Sequence, residues 1–376
     1  MTTLDFISQN RRQIILISLV FIIMIILYGR IDANHSDYRD WDLHQYLMMA
    51  EKSPSLSQDI PQPFAYRILG PYLAGLLPFD LDMNFYLISL AASAILIFLF
   101  YFFLCSMGID ATIAAIVVII FIFNKYFFGF TIWNFYQLND ILALIFIILI
   151  FLSMHRQHWI RYTLFLAVGS LARETVMLLI PVAFIYILET KKSGKHLIYW
   201  AAASLPGILI FLLLRLLITP SGGDDLLSAF MRYYGKLGSP GPWAGLLIYC
   251  TIPVSLIPVI YCEQTIAFFR NRKYMLLYIV LIFISALFGS NNERLMAPVF
   301  VVFYFLIASI LTNKMIHRRW PICIILAAAF ISSLDIWSGL RPLPDRETMI
   351  IIDALCLTAV TLISILNKIK QVSYRN

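Results

Sequence analysis

The longest polar interruption in an otherwise apolar chain runs from Ile31 to Phe79 and carries Asp32, Asp37, Asp40, Asp42, His35, His44 and Arg67. Within it, Trp41 to Ala50 reads WDLHQYLMMA, so Asp42 and Tyr46 fall four residues apart and share a helix face. A carboxylate at a helix start is favoured in its ionised form by the backbone dipole. Held just above a bilayer, it can take a proton from an attacking hydroxyl or ligate a divalent cation such as Mg or Mn. Asp37 and Asp40 are alternates, and the spacing of Asp40 and Asp42 permits a metal pair, leaving metal use open. The same stretch also reads as a hydrated loop in which Asp42 is only an N-terminal helix charge.

Arg67, Arg173 and Arg294 form a second set, each embedded in or flanking apolar sequence. Arginine in such a place is costly and points to function, and its planar fork matches phosphate oxygens. Two plainer readings stand beside this: Arg173–Glu174 as an internal ion pair, and Arg294 with Glu293 as a helix-end pair. Asp140 places a further acid at the head of an apolar run; its plainer reading is an N-cap, for which the preceding Asn139 is the better residue. Lys125 and Arg215 read as snorkelling side chains. The six histidines and five cysteines show no metal-ligand spacing, and the cysteines no disulfide framework.

These residues are positioned by a chain that is 61% hydrophobic and only 13% charged, with mean hydropathy +0.84. Soluble domains are about one quarter charged, so this is an integral membrane protein. Its net charge of +7 follows from basic cytoplasmic loops, and no nucleic-acid partner is implied. The run Ile14 to Tyr28 ends in Gly29-Arg30 without a small-residue cleavage site, which predicts a retained first helix. Runs able to cross ~30 Å of hydrocarbon lie at 13–29, 84–107, 112–130, 139–154, 198–218, 244–262, 275–290, 295–312, 320–337 and 349–367.

The run 162–188 is interrupted at Arg173-Glu174-Thr175 and is flanked by basic residues on both sides, which asks for two crossings through a broken or re-entrant helix. The expectation is therefore twelve passes with both termini cytoplasmic. On that topology 16 basic residues fall inside with only Asp5, Asp110, Glu189 and Glu263, while the other 17 of the 21 acids fall outside or near outer helix ends. The fold class is an all-α polytopic membrane protein, one domain over 1–376 with no separate soluble part. A long first outer loop, 31–83, carries juxtamembrane helices. Pro63 to Pro78, with Arg67 and an internal Pro71, suits an interfacial helix better than a span.

Taken in order, these motifs resemble the GT-C superfamily of multi-span glycosyltransferases. WDLHQYLMMA is similar to the family's Asp-x-x-x-Tyr-x-x-x-Ala in the first outer loop, and AYRILGPYLA to its Tyr-Arg-x-Leu-x-Pro segment. QLNDILALIF, SLARETVMLLIP and NNERLMAPVF resemble the second acidic site, the Arg-Glu-Thr turn and a later Arg-x-x-x-Pro element. The resemblance implies Asp42 as base and Asp140 as a secondary acid, with Arg67, Arg173 and Arg294 as donor-phosphate contacts. Read from the residues themselves, Asp40 and Glu174 are further acidic candidates, and Tyr46, Tyr66 and His44 are candidate substrate contacts. The donor would be a polyprenyl-phosphate sugar, the acceptor a lipid, glycan or protein hydroxyl, and the place the outer face of a bacterial inner membrane. Inversion at the anomeric carbon is expected. The chain departs from better-studied relatives in lacking a soluble C-terminal domain. A transporter or flippase for a lipid-linked substrate is the alternative of another class, and an outer-face glycan polymerase or ligase a further one.

Overall fold

The computed structural model describes residues 3–33, 38, 41–56, 59–190, 194–222, 228, 231, 234, 238–289, 291–314, 319–334, 351, 354, 355, 358, 359 and 362. They are mainly helical, with no strand among the described residues. After the short α1 (Thr3–Gln9), α2 (Arg11–Tyr28) is almost wholly aliphatic and leaves Ile15, Ile22 and Ile26 exposed. A helix satisfies all of its own backbone polar groups, so such a surface is at home in hydrocarbon.

The loop beyond α2 holds α3 (Leu43–Lys52), a short 3-10 turn at Phe64–Tyr66 and α4 (Leu69–Gly75). A Cβ on Gly75 would come within 2.6 Å of the Ala50 carbonyl, so glycine lets α4 press onto α3. Then follow α5 (Leu81–Ser106), α6 (Ala111–Ile122), α7 (Phe130–Trp133), α8 (Leu138–His155), α9 (Trp159–Ala172), α10 (Leu179–Thr190) and α11 (Gly194–Leu217). The remainder comprises α12 (Pro240–Leu247), α13 (Cys262–Arg270), α14 (Lys273–Ala286), α15 (Asn292–Leu295), α16 (Phe300–Lys314) and α17 (Arg319–Ser333).

Among the described residues five helical stretches are long and apolar enough to cross a membrane: Arg11–Tyr28, Leu81–Ser106, Phe135–His155, Gly194–Leu217 and Glu293–Asn313. A bent pair makes a sixth if counted as one span. Burial sorts them. Phe135–His155 is 83% buried and forms the centre, whereas Arg11–Tyr28 and Gly194–Leu217, each 22% buried, form the exposed apolar rim.

Contacts between helix ends give each helix its direction. At one end the Tyr101 hydroxyl donates to Asn10 Oδ1 (3.0 Å), His155 Nε2 meets the Tyr274 hydroxyl (2.9 Å), and Glu189 accepts from the Lys273 backbone N–H (3.1 Å). Arg11, Arg12, Arg156, Arg272 and Lys273 lie in or beside these segments. At the other end the Ile31 N–H donates to the Trp133 carbonyl (2.9 Å) and the Ser221 N–H to the Ile60 carbonyl (3.3 Å). Helix α8 thus runs from the second end to the first, α9 returns, α10 runs back and α11 returns again.

Two of the expected runs are not single helices. The run 112–130 bends by 66° after α6 because Asn124 ends it. The Asn124 carboxamide oxygen accepts from the N–H groups of Tyr126 (3.0 Å) and Phe127 (2.7 Å), and its nitrogen donates to the Cys250 carbonyl (2.8 Å). The run 244–262 is no single helix. It breaks into α12, a turn at Tyr249–Thr251, a short piece at Ile257–Ile260 and the start of α13. Pro253 and Pro258, which supply no N–H, fall inside it. The run 349–367 lies mostly outside the described residues.

Candidate active site

Asp42 sits at the N-cap position of α3 but makes no capping bond to that helix. Its carboxylate turns inward instead. Oδ1 accepts from Gln137 Nε2 at 2.6 Å, and Oδ2 lies 3.4 and 3.5 Å from the two terminal nitrogens of Arg294. Both members of this pair are largely shielded, at 13% and 14% side-chain exposure, so their attraction is little screened by water. Arg294 enters from the far side on α15, a single turn whose start Asn291 organises by accepting from the Arg294 N–H (3.1 Å).

The same guanidinium reaches a second acid, with Nε 3.7 Å from Asp140 Oδ2. Asp140 Oδ1 accepts from Arg173 Nη1 at 2.6 Å, and both side chains are almost fully buried. Asp140 is therefore no N-cap, and neither is Asn139. The Asn139 carboxamide takes the Gly70 N–H (2.8 Å) and donates to the Arg67 carbonyl (2.8 Å), tying α8 to the Arg67 segment.

Arg173 and Glu174 are neighbours, yet they do not pair with each other. Arg173 is extended (φ −160°, ψ 139°), and extended backbone sends successive side chains to opposite sides. Arg173 therefore goes to Asp140 and Glu174 to Arg67, whose Nε donates to Oε2 at 3.0 Å while Nη2 meets Oε1. Arg294 likewise passes over Glu293, which packs against Gly245. The three arginines and three carboxylates converge as an alternating chain, Asp42–Arg294–Asp140–Arg173, with Arg67–Glu174 beside it. Buried charges survive only when paired and hydrogen-bonded in this way.

Burial raises the Glu174 pKa, but Arg67 and Arg173 outweigh it and hold the carboxyl down at about 2. For Arg67, desolvation works against the charge, and the Glu174 carboxylate more than restores it, leaving its pKa well above the usual value. Tyr46, fully buried on the inner face of α3, has its phenol pushed up to about 12, first by burial and then by Asp42 and Asp140 against the pull of Arg67. It stays a neutral hydroxyl at any ordinary pH.

Around this chain the buried Tyr46 hydroxyl, His44 Nε2, Gln137 Oε1, Thr175 Oγ1 and both carboxamide atoms of Asn134 lack a hydrogen-bond partner among the described residues. Such atoms are rare in proteins, and here they gather on the segments that carry the charges. Trp41, Trp133 and Tyr38 pack together beside them at 4.8–6.0 Å, and Arg294 lies 5.5 Å above the Phe130 ring. Tyr66 stands apart from the acids, under the guanidinium of Arg215.

Among the described residues no three His, Cys, Asp or Glu side chains are grouped so as to hold a metal ion, and Arg294 occupies the position between Asp42 and Asp140. Asp40 lies outside the described residues, as do Asp37, His35, Asp224 and Asp225. A cavity of about 390 Å³ opens beside the 134–137 turn, lined by Arg30, Asp32, Asp80, Asp82, Phe135 and Tyr136 among others.

Sequence reasoning passed over Gln137, Asn134 and Thr175, and took Asn139 for a cap. Their signal was their type: carboxamides and a hydroxyl set within long apolar runs. Set against known protein families, curated proteins and solved structures, the chain matches none.

Proposed function

We propose that the chain is a membrane glycosyltransferase of GT-C type, moving a sugar from a polyprenyl-phosphate donor to a hydroxyl of a lipid, glycan or protein. In this reading the chain crosses the membrane twelve times. The end rich in Arg11, Arg12, Arg156, Arg272 and Lys273 faces the cytoplasm and the Asp42 end faces outward, as basic residues prefer the inside.

The observation that carries the proposal is the shielded Asp42 carboxylate, aimed by Gln137 and held by Arg294 within a cluster of buried arginines. An attacking hydroxyl oxygen forms the new bond to the anomeric carbon and gives its proton to Asp42. The bond from that carbon to the phosphate oxygen breaks, and the polyprenyl phosphate leaves with the electron pair, stabilised by guanidinium groups. One displacement of this kind inverts the anomeric centre. No step requires a metal ion.

The test is transfer by the full chain in proteoliposomes with a panel of polyprenyl-phosphate sugars and membrane acceptors, comparing wild type with Asp42→Asn. A fall of about a hundredfold or more with donor binding kept supports the proposal. Unchanged transfer removes Asp42 as base. Unchanged transfer together with lost lipid translocation favours a flippase.

A further inference from the structure

We infer that Arg215 is the docking cation for the phosphate of a lipid-borne phosphate ester, entering from the bilayer along α11. The inference rests on the donor class proposed above and adds the residue that receives the anion.

The charge balance leads there. Arg67 is matched by Glu174, Arg173 by Asp140, and Arg294 by Asp42 and Asp140. Each of these three guanidinium groups already spends donors on a carboxylate, and the set is formally neutral. A phosphate needs a cation in surplus. Arg215 is that surplus: it has no carboxylate partner among the described residues. Its Nη1 donates only to the Phe211 carbonyl (3.3 Å), and its plane lies over the rings of Phe211 (3.5 Å) and Tyr66 (4.5 Å). Most of its five donors are therefore uncommitted.

Position supports the same assignment. Leu212, Leu213, Leu216 and Leu217 are exposed around Arg215, so this part of α11 faces hydrocarbon. An arginine there carries its charge to the polar boundary on an apolar stem. Beyond α11 the chain is stitched to the Arg67 segment: Ser221 N–H donates to the Ile60 carbonyl and Gln62 N–H to the Gly222 carbonyl (2.9 Å). Arg215 consequently feels both Glu174 and Arg67 electrostatically. On another flank, the cavity beside Tyr136 presents Asp32, Asp80 and Asp82 against one arginine, a surface that repels an anion. A lipid phosphate is thus received on the α11 side, its tail along the exposed leucines and its sugar toward Asp42.

The experiment measures binding of a short polyprenyl phosphate to the full chain in zwitterionic nanodiscs. The matching polyprenol and inorganic phosphate serve as comparators. Arg215→Gln is expected to weaken polyprenyl phosphate about ten- to hundredfold, the usual scale for a lost charge-assisted contact, without changing polyprenol binding. Arg215→Lys, which keeps the charge if the glutamine variant folds poorly, is expected to stay within about tenfold of wild type. Equal affinities of wild type and Arg215→Gln overturn this inference alone. A wild type that does not distinguish polyprenyl phosphate from polyprenol overturns the proposed donor as well. Inorganic phosphate competing at the lipid's own concentration overturns the lipid source.

Discussion

Asp42 and Arg294 stand 252 residues apart in the chain and meet at 3.4 Å, and the same guanidinium continues to Asp140 at 3.7 Å. One arginine therefore links the segment between α2 and α5 to the head of the central helix. Whatever moves α15 changes the setting of both acids at once.

Gln137 is a positioning residue in this arrangement, donating to Asp42 from the turn before α8. Gln137→Leu removes the donor at similar volume and frees the carboxylate to rotate. For the proposed transfer, kcat is expected to fall about tenfold or more with the donor KM little changed, because misaimed catalytic groups cost rate before binding. A change confined to KM would assign Gln137 to substrate binding.

The pair Asp140–Arg173 is buried and directly bonded. Arg173→Met is expected to cost about 3–5 kcal/mol, since it leaves an acid without its nearest partner in a low-dielectric interior. Adding Asp140→Asn to that variant should cost less than the two single changes combined, with a coupling of about 1–3 kcal/mol. Unfolding in detergent across the four proteins measures it. Strict additivity would show that the two side chains do not depend on each other.

Glu174 sets an acid limit. Its folded-state pKa of about 2 lies below the ordinary carboxylate value of 4.5, so its contribution is fully present above pH 4.5 and is lost as pH falls toward 2. The size is on the order of 2–3 kcal/mol. Wild type should therefore exceed Glu174→Gln in stability by a constant margin at pH 5 to 8, and the margin should close on acidification. A margin that closes between pH 7 and 6 would require a different titrating group.

Tyr46 separates stability from function. Its buried hydroxyl has no hydrogen-bond partner among the described residues, so removing it relieves a desolvation cost of about 1–3 kcal/mol. Tyr46→Phe is expected to be as stable as wild type or more so in thermal unfolding, while substrate binding weakens. A destabilised variant would mean that the hydroxyl serves the fold.

The runs 13–29, 84–107, 139–154, 198–218 and 295–312 were legible in the sequence, because a span needs only length and hydropathy. So were the acids and arginines set into polar breaks, and the break at Arg173 within 162–188. The bend at Asn124 was not legible: its side chain caps the next turn and reaches Cys250, a contact made across 126 residues. Asn139 read as a local cap and proved to be a bridge to Arg67 and Gly70.

Sequence by itself determined that this chain is built of apolar helices and that its costly charges cluster at a few breaks between them. Hydropathy and span length are additive along a chain, so they survive without coordinates. Only tertiary structure decided which acid faces which arginine. Arg173 and Glu174 sit side by side yet serve different partners, because the backbone there is extended and different helices approach from either side. Pairing of that kind depends on how helix ends meet in space, and nothing in local spacing encodes it.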